Sequence, residues 1–255
     1  IFGRYAGANG SIGEKNAFFG DAVANDTLTT DADNNTGLGY RAMHGLTAGS
    51  ENTTVGSNAG YSMVAGVRNV AIGVNSLYQG AAQKTVAIGY ETGRYATGSF
   101  NTFVGAQAGV GGTTSAPYSS GEGNVALGYQ ALTAFTTGYL NTAVGYRALY
   151  AATTAYQNIA VGDNAMRYLT TGVWNVSIGI NSGPDAMGSR IVAIGELAGR
   201  FNKGLGNVHI GYRAGYQVSG SYNTTIGYQA GYGGTSSAPY STGTYNTALG
   251  NSALG

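Results

Sequence analysis

Few side chains in this sequence could perform catalysis or bind a metal. His44 and His209 are the only histidines, and the absence of cysteine excludes thiolate nucleophiles, thiolate zinc sites and disulfides. No phosphate-binding Walker loop, nucleophile elbow or zinc-ligand spacing occurs. We therefore expect a protein that is not an enzyme, with no catalytic residue, cofactor or metal, and both histidines at the surface or in an interface.

One acidic cluster needs separate consideration as a calcium site. Asp31 and Asp33 follow Asp26 and open a run that begins like a calcium loop. Thr36 stands where the EF-hand loop requires glycine, and Ala42 occupies the position of its bidentate glutamate. Calcium binding stays a minor alternative.

The composition points to turns rather than helices. Of 255 residues 45 are glycine, and only 12 basic and 11 acidic side chains occur, giving a net charge of +1. The basic residues are scattered from Arg4 to Arg213, which predicts no nucleic-acid binding. No apolar run is long enough for a membrane span, so we expect no membrane insertion in this segment. The start at Ile1, without an initiator methionine, indicates an internal piece of a longer protein.

A short repeat organises the whole sequence. Its core is Asn-x-Ala-(Val/Ile/Leu)-Gly, and its last residue is called the key glycine here. Most key glycines are 16 or 17 residues apart, which is too short for a helix pair and suits one turn of a solenoid. We predict an all-β fold, a parallel β-solenoid or β-roll of about fifteen 16–17-residue coils that runs continuously over residues 1–255. The key glycines are Gly3, Gly20, Gly39, Gly56, Gly73, Gly89, Gly105, Gly128, Gly145, Gly162, Gly179, Gly195, Gly211, Gly227 and Gly250.

The residues before each key glycine predict a short strand. The residue directly before it is apolar in every copy, and the residue two positions earlier is β-branched in 13 of 14 copies. Period-2 alternation puts both on one face, which we expect to point inward. The residue between them is small, as in Ala71, Ala87 and Ser177, and we expect it to face outward.

Two further positions predict ladders along the coils. The key glycine fits a sharp turn with positive φ. Asparagine stands four residues before it in most copies, where stacked amides can hydrogen-bond from coil to coil. Thr85 and Ile191 interrupt this asparagine series. The ladder asparagines include Asn69, Asn101, Asn124, Asn141, Asn158 and Asn175.

Two near-duplicate insertions interrupt the period. They cover residues 111–123 and 233–245, and they define a super-repeat of 122 residues. Because proline and small polar residues dominate them, we predict loops that project from the solenoid. In each, a tyrosine directly follows the proline, Tyr118 in the first and Tyr240 in the second. The loops could contact a receptor through these tyrosines, or they could be clasps between subunits.

Tyrosine also recurs elsewhere in the repeat. It follows the key glycine in six copies, beginning with Tyr40 and Tyr90, which predicts partial ladders along one edge. Such ladders could contact glycans or pack over the turns. Tyr216 and Tyr232 lie in connecting turns, where we expect them to be exposed as contact residues.

The repeat core resembles the head repeat of trimeric autotransporter adhesins (YadA-like), through the segments 69–73, 85–89 and 124–128. The longer units at 141–149 and 223–231 are similar to repeats of phage tail fibres. The resemblance implies a left-handed parallel β-roll and a trimer. Since a coil of 16–17 residues encloses little volume, size also favours association, most simply as a homotrimer.

The sequence therefore predicts an extracellular fibre, at a virion tail or a cell surface, that attaches to a surface glycan or host receptor through repeated weak contacts. A purely structural filament, with the loops as clasps between subunits, is the alternative. An ice-binding face is a weaker one, because threonine rows are irregular.

Overall fold

The computed structural model describes residues 2–7, 9–10, 13–80, 82–112, 118–233 and 242–254. It confirms the predicted fold class: these residues form short parallel strands and no helix. Each three-residue strand directly precedes a key glycine. The strands are β1 (Asn9–Gly10), β2 (Ala17–Phe19), β3 (Thr27–Leu28), β4 (Thr36–Leu38), β5 (Thr53–Val55), β6 (Val70–Ile72), β7 (Val86–Ile88), β8 (Thr102–Val104), β9 (Val125–Leu127), β10 (Thr142–Val144), β11 (Ile159–Val161), β12 (Val176–Ile178), β13 (Val192–Ile194), β14 (Val208–Ile210), β15 (Thr224–Ile226) and β16 (Thr247–Leu249).

The chain divides into two compact units, unit 1 (Ile1–Thr137) and unit 2 (Gly138–Gly255). In unit 1, β2 and β4 to β9 pair in sequence order, and β1 pairs with β3. In unit 2, β10 to β16 pair in sequence order. Equivalent positions of neighbouring coils face each other, as Val70 faces Val86. Each coil therefore adds one strand to a solenoid, and every position of the repeat forms a column along its unit.

The corners use backbone conformations that ordinarily favour glycine. In the coil that begins at Gly73, the non-glycine residues Asn75, Leu77 and Lys84 have φ values of 55°, 46° and 53°. The amide of Leu77 donates to the carbonyl of Thr92 in the next coil, at 3.0 Å. Bonds of this kind offset the strain of left-handed φ in residues that carry side chains.

The key glycines form a column in which no side chain fits. Gly73 has a φ of 125°, and a Cβ added to it would lie 2.3 Å from the carbonyl oxygen of Gly89 in the next coil. Both the dihedral angle and the close approach of the neighbouring backbone therefore require glycine. This explains why the residue is invariant along the repeat.

The predicted orientation of the strands was wrong. The small middle residues point into the coil and are fully buried, among them Ala71, Ala87, Ala126, Ala143, Ala160 and Ser177. The flanking residues lie outside, so that Ile88 and Leu127 are 37% and 47% exposed. The reason is the narrow interior. Its width is filled by corner residues such as Leu77 and Leu149, which leaves room for only a methyl group or a hydroxymethyl group from most strands.

Candidate interaction surface

Because the first and third residues of each strand point outward, each unit has an outer face of apolar side chains. We define the outer face as the first and third residues of the strands. These positions carry Val, Ile, Leu or Thr from β5 to β16, without a charged side chain. In unit 1 the face includes Val86, Ile88, Val125 and Leu127, and in unit 2 it includes Ile159 and Ile178. Exposed apolar side chains in a contiguous row mark an interaction site.

Aromatic and aliphatic side chains widen this face on both edges. On one edge the tyrosines after the key glycines are exposed, for example Tyr90 at 53% and Tyr146 at 44%. On the other edge lie Phe100, Leu140 and Trp174, five residues before a key glycine, and they are similarly exposed. With seven strands about 4.8 Å apart and six residue steps of about 3.3 Å, the surface covers roughly 600 Å² on each unit.

The edge position five residues before a key glycine carries charged side chains in other coils, among them Glu51, Arg68, Lys84 and Arg190. Arg68 donates from Nε to Glu51 Oε2 at 2.8 Å, and this hydrogen bond is the main cause that lowers the pKa of Glu51 and raises that of Arg68. The ammonium of Lys84 lies 5.1 Å from the ring centre of Phe100, and the guanidinium of Arg190 lies 4.9 Å from that of Trp174. The rim is polar and the centre is apolar, as in protein–protein interfaces.

The tyrosines proposed as contact residues occupy different surroundings. Tyr216 and Tyr232 stack in parallel with ring centres 5.4 Å apart, and both are half-buried. Tyr118, in unit 1, is half-buried against Tyr95, with ring centres 6.4 Å apart. Tyr240 lies outside the described residues, as do 113–117 and 234–241 of the two insertions. The structure thus brings Tyr216 and Tyr232 together into one column.

The asparagine column lies inside the coils and joins them. Asn158 donates from Nδ2 to Asn141 Oδ1 at 3.0 Å and to the carbonyl of Gly172 at 2.9 Å. Its Oδ1 accepts from the backbone N and the Nδ2 of Asn175, at 3.0 and 2.9 Å. Ile191 continues the column with its backbone alone, donating to Asn175 Oδ1 at 3.0 Å. The buried amide therefore satisfies donors and acceptors in both neighbouring coils.

Asn158→Ala should lower the free energy of unfolding by about 2 kcal/mol, because it leaves buried polar groups of Asn175 and Gly172 without partners. Urea unfolding followed by circular dichroism measures the change. Asn251→Ala, at an exposed asparagine, is the matched control and should change stability by less than about 0.5 kcal/mol. Equal effects of the two substitutions would contradict a role for the column.

His209 was predicted at the surface or in an interface, and this was wrong. As the middle residue of β14 it points into the coil and is fully buried. Asn202 Nδ2 lies 2.5 Å from its Nε2, and Thr225 Oγ1 lies 2.8 Å from its Nδ1. Because Asn202 Oδ1 already accepts from the amide of Gly204, the Nδ2 group donates to Nε2. The imidazole is therefore neutral and donates from Nδ1 to Thr225.

The acidic cluster interacts with backbone amides. Asp33 Oδ1 accepts from the amide of Glu14 at 2.5 Å, and Asp26 Oδ1 accepts from that of Thr27 at 2.9 Å. Within the ranges that the structure describes, no group of three or more His, Asp or Glu side chains could hold a metal ion. A search of the same ranges finds no helix with the length and hydropathy of a membrane span.

Comparison with known proteins gives no relative from which a role could be transferred. No family model, no curated protein and no solved structure matches the chain.

Proposed function

We propose that this chain is a non-enzymatic fibrous protein, the shaft or head of an extracellular fibre that attaches a virion or a cell to a surface. The observation that carries the proposal is the outer face, whose strand residues are apolar or threonine, carry no charge from β5 to β16 and are half-buried or exposed on each unit. The outer face and its two mixed edges together cover roughly 600 Å² per unit, which is of the same order as the roughly 800 Å² per partner of a specific protein–protein interface. Its repetition in every coil fits an extended contact.

The occupant that we propose for the outer face is a second and third copy of the same chain, in a homotrimer. Identical copies offer the same apolar rows at the same coil spacing, so valine and isoleucine columns of one copy can pack on those of the next. The interior of each coil is narrow and holds small strand residues beside a few larger corner residues, which limits the core that one chain forms alone. Association therefore adds the apolar burial that the coil lacks.

The test is the mass of the purified protein by sedimentation velocity, compared with that of Ile72→Glu/Ile88→Glu. We expect the wild type to have the mass of three chains and the variant that of one, because paired carboxylates in an apolar interface are strongly unfavourable. Val64→Glu/Met187→Glu adds the same charge at exposed residues away from the outer face and should stay trimeric. Far-ultraviolet circular dichroism establishes that both variants keep their β-structure.

A monomeric wild type, or a trimeric Ile72→Glu/Ile88→Glu variant, would overturn the assignment of the outer face. Attachment is measured separately, by the binding of labelled wild-type protein to whole cells. A protein that polymerises into filaments and does not attach would instead be the purely structural subunit.

A further inference from the structure

The two units differ in charge, although the whole chain is nearly neutral. Unit 1 carries six basic and eight acidic residues, a net charge of −2. Unit 2 carries six basic and three acidic residues, a net charge of +3. An imbalance of this kind within one chain suggests an anionic partner for the basic part. Four of the six basic residues of unit 2 are arginines at the corners that follow the key glycines.

These corner arginines lie against aromatic rings that connect them. The guanidinium of Arg147 is 5.1 Å from the ring centre of Tyr146 and 5.5 Å from that of Tyr150. The guanidinium of Arg167, from the next coil, is 5.9 Å from the same Tyr150 ring and 5.2 Å from Tyr168. Tyr150 thus connects two guanidinium groups that are 20 residues apart in the sequence.

The row continues over the following coils. Arg167 and Arg200 line one shallow cleft, with Pro184 and Asp185 between them. Arg200 lies 5.0 Å from the ring centre of Phe201, which meets Tyr216 edge-on with ring centres 5.4 Å apart. The guanidinium of Arg213 is 5.7 Å from the ring centre of that tyrosine. Aromatic contacts and the cleft therefore connect Arg147, Arg167, Arg200 and Arg213 along one corner of unit 2.

Three of these arginines keep guanidinium donors for a ligand. Arg167, Arg200 and Arg213 form no ion pair with another residue in the described parts of the chain. The Nε atoms of Arg167 and Arg213 are buried without a hydrogen-bond partner there, so the terminal Nη groups are the donors that a ligand could reach. A guanidinium that stacks on a ring can still donate from its edge to a carboxylate or sulfate. The nearby carboxyl of Asp185 is half-buried; burial raises its pKa, and the charges of Arg200 and Lys203 act in the opposite direction.

The spacing of the charges defines the class of ligand. From the coil of Arg147 to that of Arg213 there are four coil steps of about 4.8 Å, which gives four positive charges over roughly 19 Å. Duplex DNA carries one negative charge per about 1.7 Å, a far denser array than this row would neutralise. A polymer with one anionic group every sugar or two matches better, and its hydroxyls can bond to the tyrosine phenols between the arginines.

We propose that the row of Arg147, Arg167, Arg200 and Arg213 binds a linear anionic polysaccharide through its carboxylate or sulfate groups. This inference rests on the attachment function proposed above, and it names the class of surface polymer. Arg167 and Arg200 lie five residues after a key glycine, away from the outer face, whereas Arg147 and Arg213 lie against Tyr146 and Tyr212 at the edge of that face.

The experiment measures binding of the purified full chain to dextran sulfate, polygalacturonate and uncharged dextran by biolayer interferometry at physiological salt. The test variant is Arg167→Gln/Arg200→Gln/Arg213→Gln. Glutamine is compatible with this corner, because Gln229 occupies the equivalent position to Arg213 with the same left-handed φ. The control variant, Lys15→Gln/Arg41→Gln/Lys84→Gln, removes the same charge from unit 1.

We expect binding to at least one of the two anionic polymers and not to dextran, a loss of at least tenfold in affinity in the test variant, and less than a twofold change in the control. Absence of binding to both anionic polymers, or equal losses in the two variants, would overturn the inference. A single-stranded oligonucleotide that binds more tightly than the polysaccharides would also overturn it. If any of these results is found and labelled protein still attaches to cells, only this inference fails. If attachment to cells is absent as well, the proposed function also fails.

Discussion

Phe103→Ala should lower the free energy of unfolding by about 4 kcal/mol, and the additional substitution Gly109→Leu should restore most of the loss. Phe103 is the middle residue of β8, a position where half of the three-residue strands carry alanine, and it is fully buried. Its removal leaves a cavity in a narrow interior that cannot collapse, because both neighbouring coils hold the backbone in place. Loss of a buried phenylalanine side chain typically costs 3–5 kcal/mol.

The rescue follows from a compensation between two positions of the coil. Gly109, four residues after the key glycine, leaves the space that the Phe103 ring occupies: a Cβ on Gly109 would lie 2.4 Å from Phe103 Cδ1. In the next coil the same two positions are Ala126 and Leu132, and both are fully buried. Leu132 has a φ of 50°, close to the 56° of Gly109, so leucine is compatible with this backbone.

The double variant therefore has alanine and leucine at these two positions, as the next coil does with Ala126 and Leu132. Urea unfolding of the wild type, both single variants and the double variant gives the coupling free energy between the two positions. Gly109→Leu alone should destabilise the protein by several kcal/mol through overpacking against Phe103. Recovery should be incomplete, because Phe103 also contacts the ring of Phe135, with centres 5.6 Å apart. A double variant less stable than Phe103→Ala would contradict the compensation.

The period of the repeat was sufficient to predict the strands, the parallel pairing and the glycine turns. These features depend on a spacing that the sequence states directly, since residues 16 or 17 positions apart must become neighbours in a coil. The orientation of the strands could not be obtained in the same way. The larger apolar residues were assigned to the interior, as in a half-buried sheet, but the coil is too narrow to contain them beside residues such as Leu132.

A signal for the correct orientation was nevertheless present in the sequence. In the coils where the middle strand residue is Phe103 or His209, the fourth residue after the key glycine is glycine, and in the coil of Phe18 it is alanine. Where it is alanine, as in Ala126, that residue is leucine or methionine in several coils. Such compensation in volume is expected only between side chains that share one interior.

The arginine row of unit 2 could not be predicted from the order of residues in the sequence. Arg147, Arg167, Arg200 and Arg213 are 13 to 33 residues apart, so the basic residues look scattered along the sequence. The coil register places them on one corner, and the tyrosines of the same corner connect them. Their alignment depends on two positions of the repeat, two and five residues after the key glycine, so no single column of the sequence reveals it.

Lowering the pH from 7 to 4 should reduce the free energy of unfolding of the wild type by about 3 kcal/mol more than that of the His209→Thr variant. Burial lowers the pKa of His209 from its ordinary value of 6.5 to about 4. Below pH 6.5 the unfolded chain binds a proton at this imidazole, whereas the folded chain binds it only near pH 4. The contribution of the neutral histidine is therefore fully present above pH 6.5 and is lost progressively as the pH falls to 4. A shift of this size corresponds to about 3 kcal/mol.

The geometry explains why the folded protein resists protonation. The Nδ2 group of Asn202 donates to Nε2. A proton added to Nε2 would therefore point at an N–H group and have no acceptor. Gly215 leaves the space for the ring, since a Cβ there would lie 2.0 Å from Nδ1, and the site has no room to rearrange. His209→Thr is the matched control because Thr54 and Thr225 occupy the equivalent position, each in a coil with glycine at the compensating position. The measurement is the urea midpoint and slope of both proteins between pH 7 and pH 4, and parallel pH profiles would refute a buried neutral imidazole.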